Sequence, residues 1–266
     1  MRVLRRVLIS AFLMTFLTVF FVGVIYAETE KFTPYAADPR KTALIIIDMQ
    51  YGFLEHGAIL ECKYPGWEVL VPNHKKLISF FREHNMPIIW VAFYVTPDTQ
   101  NLMRKFWSKI NPPKDFFYPG NHETQIIAEI GPEPGERVVW KHGFDAFYGT
   151  DLDVILRTLG IEYTVFTGVA TNYCVTSSLR GAFHHQYQPY IISDAAASLS
   201  KEFHEMELQI LGIGFATVRT TDEFISELSK GPFPTTPVPK VIPSAPTDQT
   251  FRRLEKIIEK LEKRIK

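Results

Sequence analysis

The chain of 266 residues has only two cysteines, Cys62 and Cys174, so no disulfide framework can staple its fold, and stability must come from a packed core. It also lacks net charge, with 29 Lys and Arg against 29 Asp and Glu. Without a basic excess it offers no field to gather nucleic acid or an acidic surface, which leaves a small molecule as the expected partner. Metal-ligand spacing is missing too. His142, His184, His185 and His204 form no coherent pattern with cysteines or carboxylates, so they read as structural, and no metal or other cofactor is expected.

What is present is a 46% hydrophobic composition, enough for one substantial α/β domain with appendages. Arg2, Arg5 and Arg6 precede an uncharged apolar run at 7–27, so residues 1–27 read as a signal peptide or a membrane anchor. The run is intermediate between a signal-peptide apolar region and the roughly 20 residues that span a bilayer, which leaves cleavage and retention both open. Either outcome in a bacterial cell places the rest of the chain outside the cytoplasm. Residues 28–40 read as a tether, 41–230 as the folded domain and 231–247 as a linker extended by Pro232, Pro234, Pro237, Pro239, Pro243 and Pro246. Residues 248–266 form an expected amphipathic helix, with Phe251, Leu254, Ile258, Leu261 and Ile265 on one stripe. It docks on its own domain or forms a coiled-coil contact with another subunit.

Within the domain, apolar β-branched blocks alternate with segments of helical period. Strands are expected at 42–48, 87–94, 137–140, 163–169, 190–193 and 216–219. Helices are expected at 73–84, 151–159, 174–185 and 201–211, with Thr150 and Asp153 as a capping arrangement for the second. That alternation predicts an α/β fold: a doubly wound parallel sheet with helices on both faces. Residues 98–134 are poorly periodic, and a segment of that length is expected to cover the active site.

Open α/β sheets bind ligands beyond the carboxyl ends of their strands. Asp48 and Lys141 end two expected strands, and Cys174 follows a third, so all three converge on that edge. Singly, each is more often structural: a turn-forming Asp, a solvated Lys, a small buried Cys. Together they make a nucleophile, a base and a cation. The run from Phe166 to Cys174 leaves a strand, passes Thr171 or Asn172 as N-cap and starts a helix, which predicts a thiol with a depressed pKa. The same helix-terminal N–H groups suit an oxyanion. Asp48 is placed to take the thiol proton and hand it to a departing amine, and Lys141 to favour the anionic sulfur and orient the acid.

Several ordered motifs resemble the isochorismatase-like cysteine hydrolases. They are Asp48-Met-Gln50 with Phe53, Lys141 with Phe144-Asp-Ala-Phe147 and Thr150-Asp-Leu152, and Thr167-Gly-Val-Ala-Thr-Asn-Tyr-Cys174-Val. The likeness continues through Arg180, Ala182, Tyr187 and Asp194-Ala195 to His204, over about 42–224. It implies a Rossmann-like three-layer fold, Asp48, Lys141 and Cys174 as the catalytic set, and a cis peptide between Val169 and Ala170 that shapes the oxyanion site. It also implies a homo-oligomer. The reaction it implies is cleavage of a C–N bond in a small amide or carbamoyl (ureido) compound through a thioester, releasing ammonia.

Family members acting on vinyl ethers, such as isochorismatase itself, lack the cysteine, so its presence argues against that chemistry. Nicotinamidases usually carry an Asp-x-His metal segment, whereas the stretch after Tyr94 here reads Val-Thr-Pro-Asp-Thr-Gln. The sequence around Cys174 is more similar to ureidoacrylate and N-carbamoyl amidohydrolases, although Tyr51-Gly52 departs from the usual Asn-Asp. Gln50, Phe53, Trp90, Phe147 and Tyr173 are the expected substrate-pocket residues. A second expectation stays open, that of an inactive relative acting as a binding or assembly module through its tether and terminal helix. Pairing of Cys62 with Cys174 would abolish thiol activity.

Overall fold

The computed structural model describes residues 36–99 and 102–240. The expected signal or anchor (1–27), most of the tether and the terminal helix (248–266) lie outside the described residues. Strand β1 (Thr42–Ile47) is a run of aliphatic residues buried on both faces, as a central parallel strand requires. Around it lie β2 (Ile88–Phe93), β3 (Arg137–Lys141), β4 (Tyr163–Val169), β5 (Gln188–Ala197) and β6 (Thr217–Arg219). All pair in parallel in the order β3-β2-β1-β4-β5-β6. That order reverses between β1 and β4, and the crevice beyond their carboxyl ends is where such sheets bind ligands.

Alternate residues of β1 serve two cores. Leu44 and Ile46 pack with Leu70, Leu77 and Phe81 of one helix, Trp67–Glu83, and with Phe224 and Leu228 of another, Thr221–Leu228. Ala43, Ile45 and Ile47 pack on the opposite face against helices Leu152–Thr158, Thr176–His184 and Lys201–Gly214. With the short helices Tyr51–Leu54 and Leu102–Trp107, the series in chain order is α1 (Tyr51–Leu54), α2 (Trp67–Glu83), α3 (Leu102–Trp107), α4 (Leu152–Thr158), α5 (Thr176–His184), α6 (Lys201–Gly214) and α7 (Thr221–Leu228). The doubly wound architecture expected from the sequence is the one observed.

Some boundaries and caps differ from the expected ones. Helix α2 starts at Trp67 rather than 73 and carries Pro72 in its interior, because burial of Leu70 and Val71 outweighs the one helical hydrogen bond that proline removes. Helix α7 was not expected, yet Thr220 and Glu223 form a capping box at its start. Thr150 and Asp153 do not cap α4 as a pair: Thr150 Oγ1 accepts from the Leu152 N–H, while Asp153 accepts from Tyr187 and pairs with Arg157. The domain begins before residue 41, since Ala37 and Pro39 are buried. Past residue 230, Phe233 packs on Phe80 and His84 of α2, so the proline-rich segment starts on the domain surface. Within 98–134, Phe117 and Ile127 are fully buried, and Gln50 bridges Ile126, so much of this segment belongs to the core.

Candidate active site

Strand β1 ends because the chain turns at Asp48, whose φ of 51° takes it out of the strand conformation. Its carboxylate points into the sheet's carboxyl edge and is fully buried. Lys141, the last residue of β3, is fully buried as well. Its Nζ donates to Asp48 Oδ2 at 2.7 Å, to the Gly143 carbonyl at 2.9 Å and to Cys174 Sγ at 3.2 Å. An ammonium has three donors, and all three are committed. Asp48 Oδ1 has no hydrogen-bond partner among the described residues.

Cys174 arrives after β4 through a close approach of backbones. Gly168 has φ +102°, and a Cβ placed there would lie 2.0 Å from the Ile47 carbonyl oxygen, so only glycine passes the end of β1. The Val169–Ala170 peptide is cis. A π-helical turn, Thr171–Val175, then carries the thiol into α5. The expected capping is different in detail. Ala170 occupies the N-cap position, while Thr171 Oγ1 shares a hydrogen bond with His204 Nδ1 at 2.8 Å and Asn172 accepts from Ser198.

The thiol is not the low-pKa group expected from its place near a helix start. Burial pushes the Cys174 pKa up, the neighbouring Asp48 charge adds to that, and Lys141 only partly opposes them. Burial and the Asp48 charge thus favour the protonated thiol over the thiolate. Burial also raises the Asp48 carboxyl, against the pull of Lys141. For Lys141, burial works against the charged form, but the Asp48 carboxylate and the hydrogen bonds to Asp48 and Cys174 outweigh it and hold the pKa above its ordinary value.

Above Cys174 opens a cavity of about 450 Å³. Its walls come from the ends of five strands: Phe53, Leu60 and Cys62 after β1, Phe93 on β2, Phe144 after β3, Ala170 and Tyr173 after β4, and Leu199 after β5. Phe106, Trp107 and Ile110, from the segment expected to cover the site, complete it. Of the expected pocket residues, Phe53 and Tyr173 are in place. Trp90 is not, for it lies in the sheet with its indole N–H on Glu136. Phe147 is turned away against His185 and Tyr187. Gln50 is fully buried and braces backbone, with Nε2 donating to the Phe93 and Thr124 carbonyls and Oε1 accepting from the Phe93 N–H.

Cys62 is among the wall residues that the sequence did not mark as pocket, with Leu60, Phe93 and Leu199. Both thiols are free, and burial, then the Asp48 and Glu61 charges, push the Cys62 pKa up to about 12. Among the described residues no cluster of His, Cys, Asp and Glu is placed to hold a metal ion. His204 is held between Thr171 and the edge of Tyr64, a position that braces the turn carrying Cys174.

Comparison with known proteins agrees with this architecture. The isochorismatase domain model matches residues 42–223. An isochorismatase family protein of Bacillus subtilis is 36% identical over 198 residues, covering 72% of this chain and 96% of its own. A ureidoacrylate amidohydrolase of Pseudomonas syringae is 30% identical over 220 residues, covering 74% of this chain and 87% of its own. The crystal structure of N-carbamoylsarcosine amidase from Thermoplasma acidophilum superposes with a TM-score of 0.58 at 29% identity, covering 69% and 98% of the two chains.

Proposed function

The chain belongs to the isochorismatase family, and from that premise we propose that it is a cysteine-dependent hydrolase that cleaves a non-peptide C–N bond of a small amide or carbamoyl compound. The observation that carries this reading is a single buried ammonium, Lys141 Nζ, shared between the Asp48 carboxylate and the Cys174 sulfur at the floor of a cavity. Two of the similar proteins, the ureidoacrylate amidohydrolase and the N-carbamoylsarcosine amidase, bear names in the same reaction class.

The groups support a two-step sequence. As Sγ bonds to the substrate carbonyl carbon, its proton passes to Asp48, whose unpartnered Oδ1 is free to accept it. The carbonyl oxygen becomes an oxyanion beside the backbone that follows the cis peptide. The C–N bond then breaks, and Asp48 returns the proton to the departing ammonia or amine. A carboxyl whose pKa burial has raised suits that acid step. Water next attacks the thioester, giving a proton to Asp48. The C–S bond breaks, the acid leaves and Cys174 regains its proton. Lys141 stays charged throughout and balances the negative charge that moves between carboxylate and sulfur.

The test is ammonia release from a panel of amides under reducing conditions. Cys174→Ala, Asp48→Asn and Lys141→Met are each expected to lower the rate by about 10³-fold or more, and pairs of them no further than the worst single one. Hydroxylamine should trap the thioester in the wild type alone. A folded protein whose Cys174 resists alkylation and that releases no ammonia would favour the binding-module reading. The apolar run at 7–27 further supports export of this hydrolase, which fractionation of cells carrying the full chain would check.

A further inference from the structure

The cavity over Cys174 is unusual in what its wall omits. Among the described residues twelve line it and none of these carries a charge; beyond the two thiols, Tyr173 and Trp107 are the only ones of them whose side chains have a polar atom. The cation beneath it, Lys141, has its three N–H groups occupied by Asp48, Gly143 and Cys174, so it keeps none for a substrate. The Asp48 carboxylate lies beside it and would repel a second anion. A substrate carboxylate entering this cavity would leave water without a counter-ion, which is costly. A hydrocarbon group gains from the same transfer. There is ample room for one: an apolar cavity of about 150 Å³ admits a benzene ring, and this one is about 450 Å³.

Taking the hydrolase reading as its basis, we propose that the substrate is a neutral primary amide or carbamoyl compound bearing an aromatic ring or an alkyl chain, and not a ureido acid such as ureidoacrylate. The carbonyl end meets Cys174 on the cavity floor. The apolar group packs on the lining side chains, Phe53, Leu60, Trp107 and Ile110 among them. The lining side chains that reach solvent, Phe106, Ile110, Tyr173 and Leu199, form the mouth.

The experiment compares hexanamide with adipamic acid, which replaces its terminal methyl by a carboxylate, using the full chain under reducing conditions. Hexanamide is expected to exceed adipamate in kcat/KM by about 100-fold or more. From butanamide to hexanamide, kcat/KM should rise by about three- to fourfold per methylene. Leu199→Arg, which places a cation at the mouth, should raise the adipamate-to-hexanamide ratio by about two- to fivefold. Equal or faster turnover of adipamate by the wild type would overturn the proposal. If neither compound releases ammonia, the hydrolase reading is judged by alkylation of Cys174, and it fails if that thiol is inert. The cavity is then judged on Cys174→Ala by displacement of the neutral fluorophore N-phenyl-1-naphthylamine. Displacement by hexanamide and not by adipamate upholds the apolar preference, and equal displacement by the two overturns it.

Discussion

Gln50→Met tests how the site's floor is held in register. Strand β1 stops one step short of its neighbour: the Asp48 N–H donates to Val91 O, and the next ladder groups on β2 belong to Phe93. With no further β1 backbone to meet them, the Gln50 side-chain amide takes its place, accepting from the Phe93 N–H at 2.8 Å and donating to its carbonyl at 2.8 Å. A second N–H holds the Thr124 carbonyl at 2.7 Å, which ties the segment over the site to the strand ends. Methionine keeps the volume and loses all three bonds. Leaving a buried polar group unpaired costs about 1–3 kcal/mol, so three such groups put the loss at about 3–6 kcal/mol after relaxation. With a urea slope of about 2–3 kcal/mol per M for a domain of this size, the unfolding midpoint should fall by about 1–3 M. Urea titration followed by tryptophan fluorescence measures it, and limited proteolysis should cut first within 95–134. Gln50→Glu keeps the shape but aims a carboxylate at two carbonyl oxygens, so it should be no more stable than Gln50→Met. A midpoint within about 0.3 M of the wild type for either variant would refute the brace.

Two further substitutions probe the backbone approach and the buried histidine. Gly168→Ala drives a Cβ to 2.0 Å from the Ile47 carbonyl oxygen at a φ of +102°, where β1 and β4 are paired and cannot separate. The expected cost exceeds about 4 kcal/mol, seen as loss of soluble protein or a collapsed thermal midpoint, and a normally folded, active variant would contradict it. His74, fully buried in α2, has Nδ1 on the Leu70 carbonyl and no partner for Nε2 among the described residues. Burial lowers its pKa from 6.5 to about 4, so the folded state favours the neutral ring. Its contribution is intact above about pH 6.5 and is lost as pH falls towards 4, by about 3 kcal/mol in all. Urea midpoints of the wild type and His74→Leu between pH 7 and 4 should show this acid-sensitive part only in the wild type.

The sequence by itself determined the layers of this protein and the three residues on which its chemistry is proposed to rest. Blocks such as 42–47 and 163–169 are apolar without alternation, and only strands covered on both faces have that pattern. Because such strands are parallel, residues just past their ends must share one edge, which is why Asp48, Lys141 and Cys174 could be grouped before any contact was known. Legibility failed where an outcome depends on neighbours distant in the chain. The start of α2 was hidden behind Pro72, whose local cost is overridden by burial of Leu70 and Val71 against the sheet. The thiol's pKa was misjudged because a helix start argues for a depressed value, while the depth of Cys174 and the charge of Asp48 are properties of the packed fold. Gln50, Trp90 and Phe147 read as pocket residues by type and proximity in sequence. Only the tertiary structure turned the first into a backbone brace and the others into core, and brought Cys62, Trp107 and Leu199 from separate segments into one apolar wall. Periodicity records which face of an element is buried, but what that face meets is decided by packing among all the elements at once.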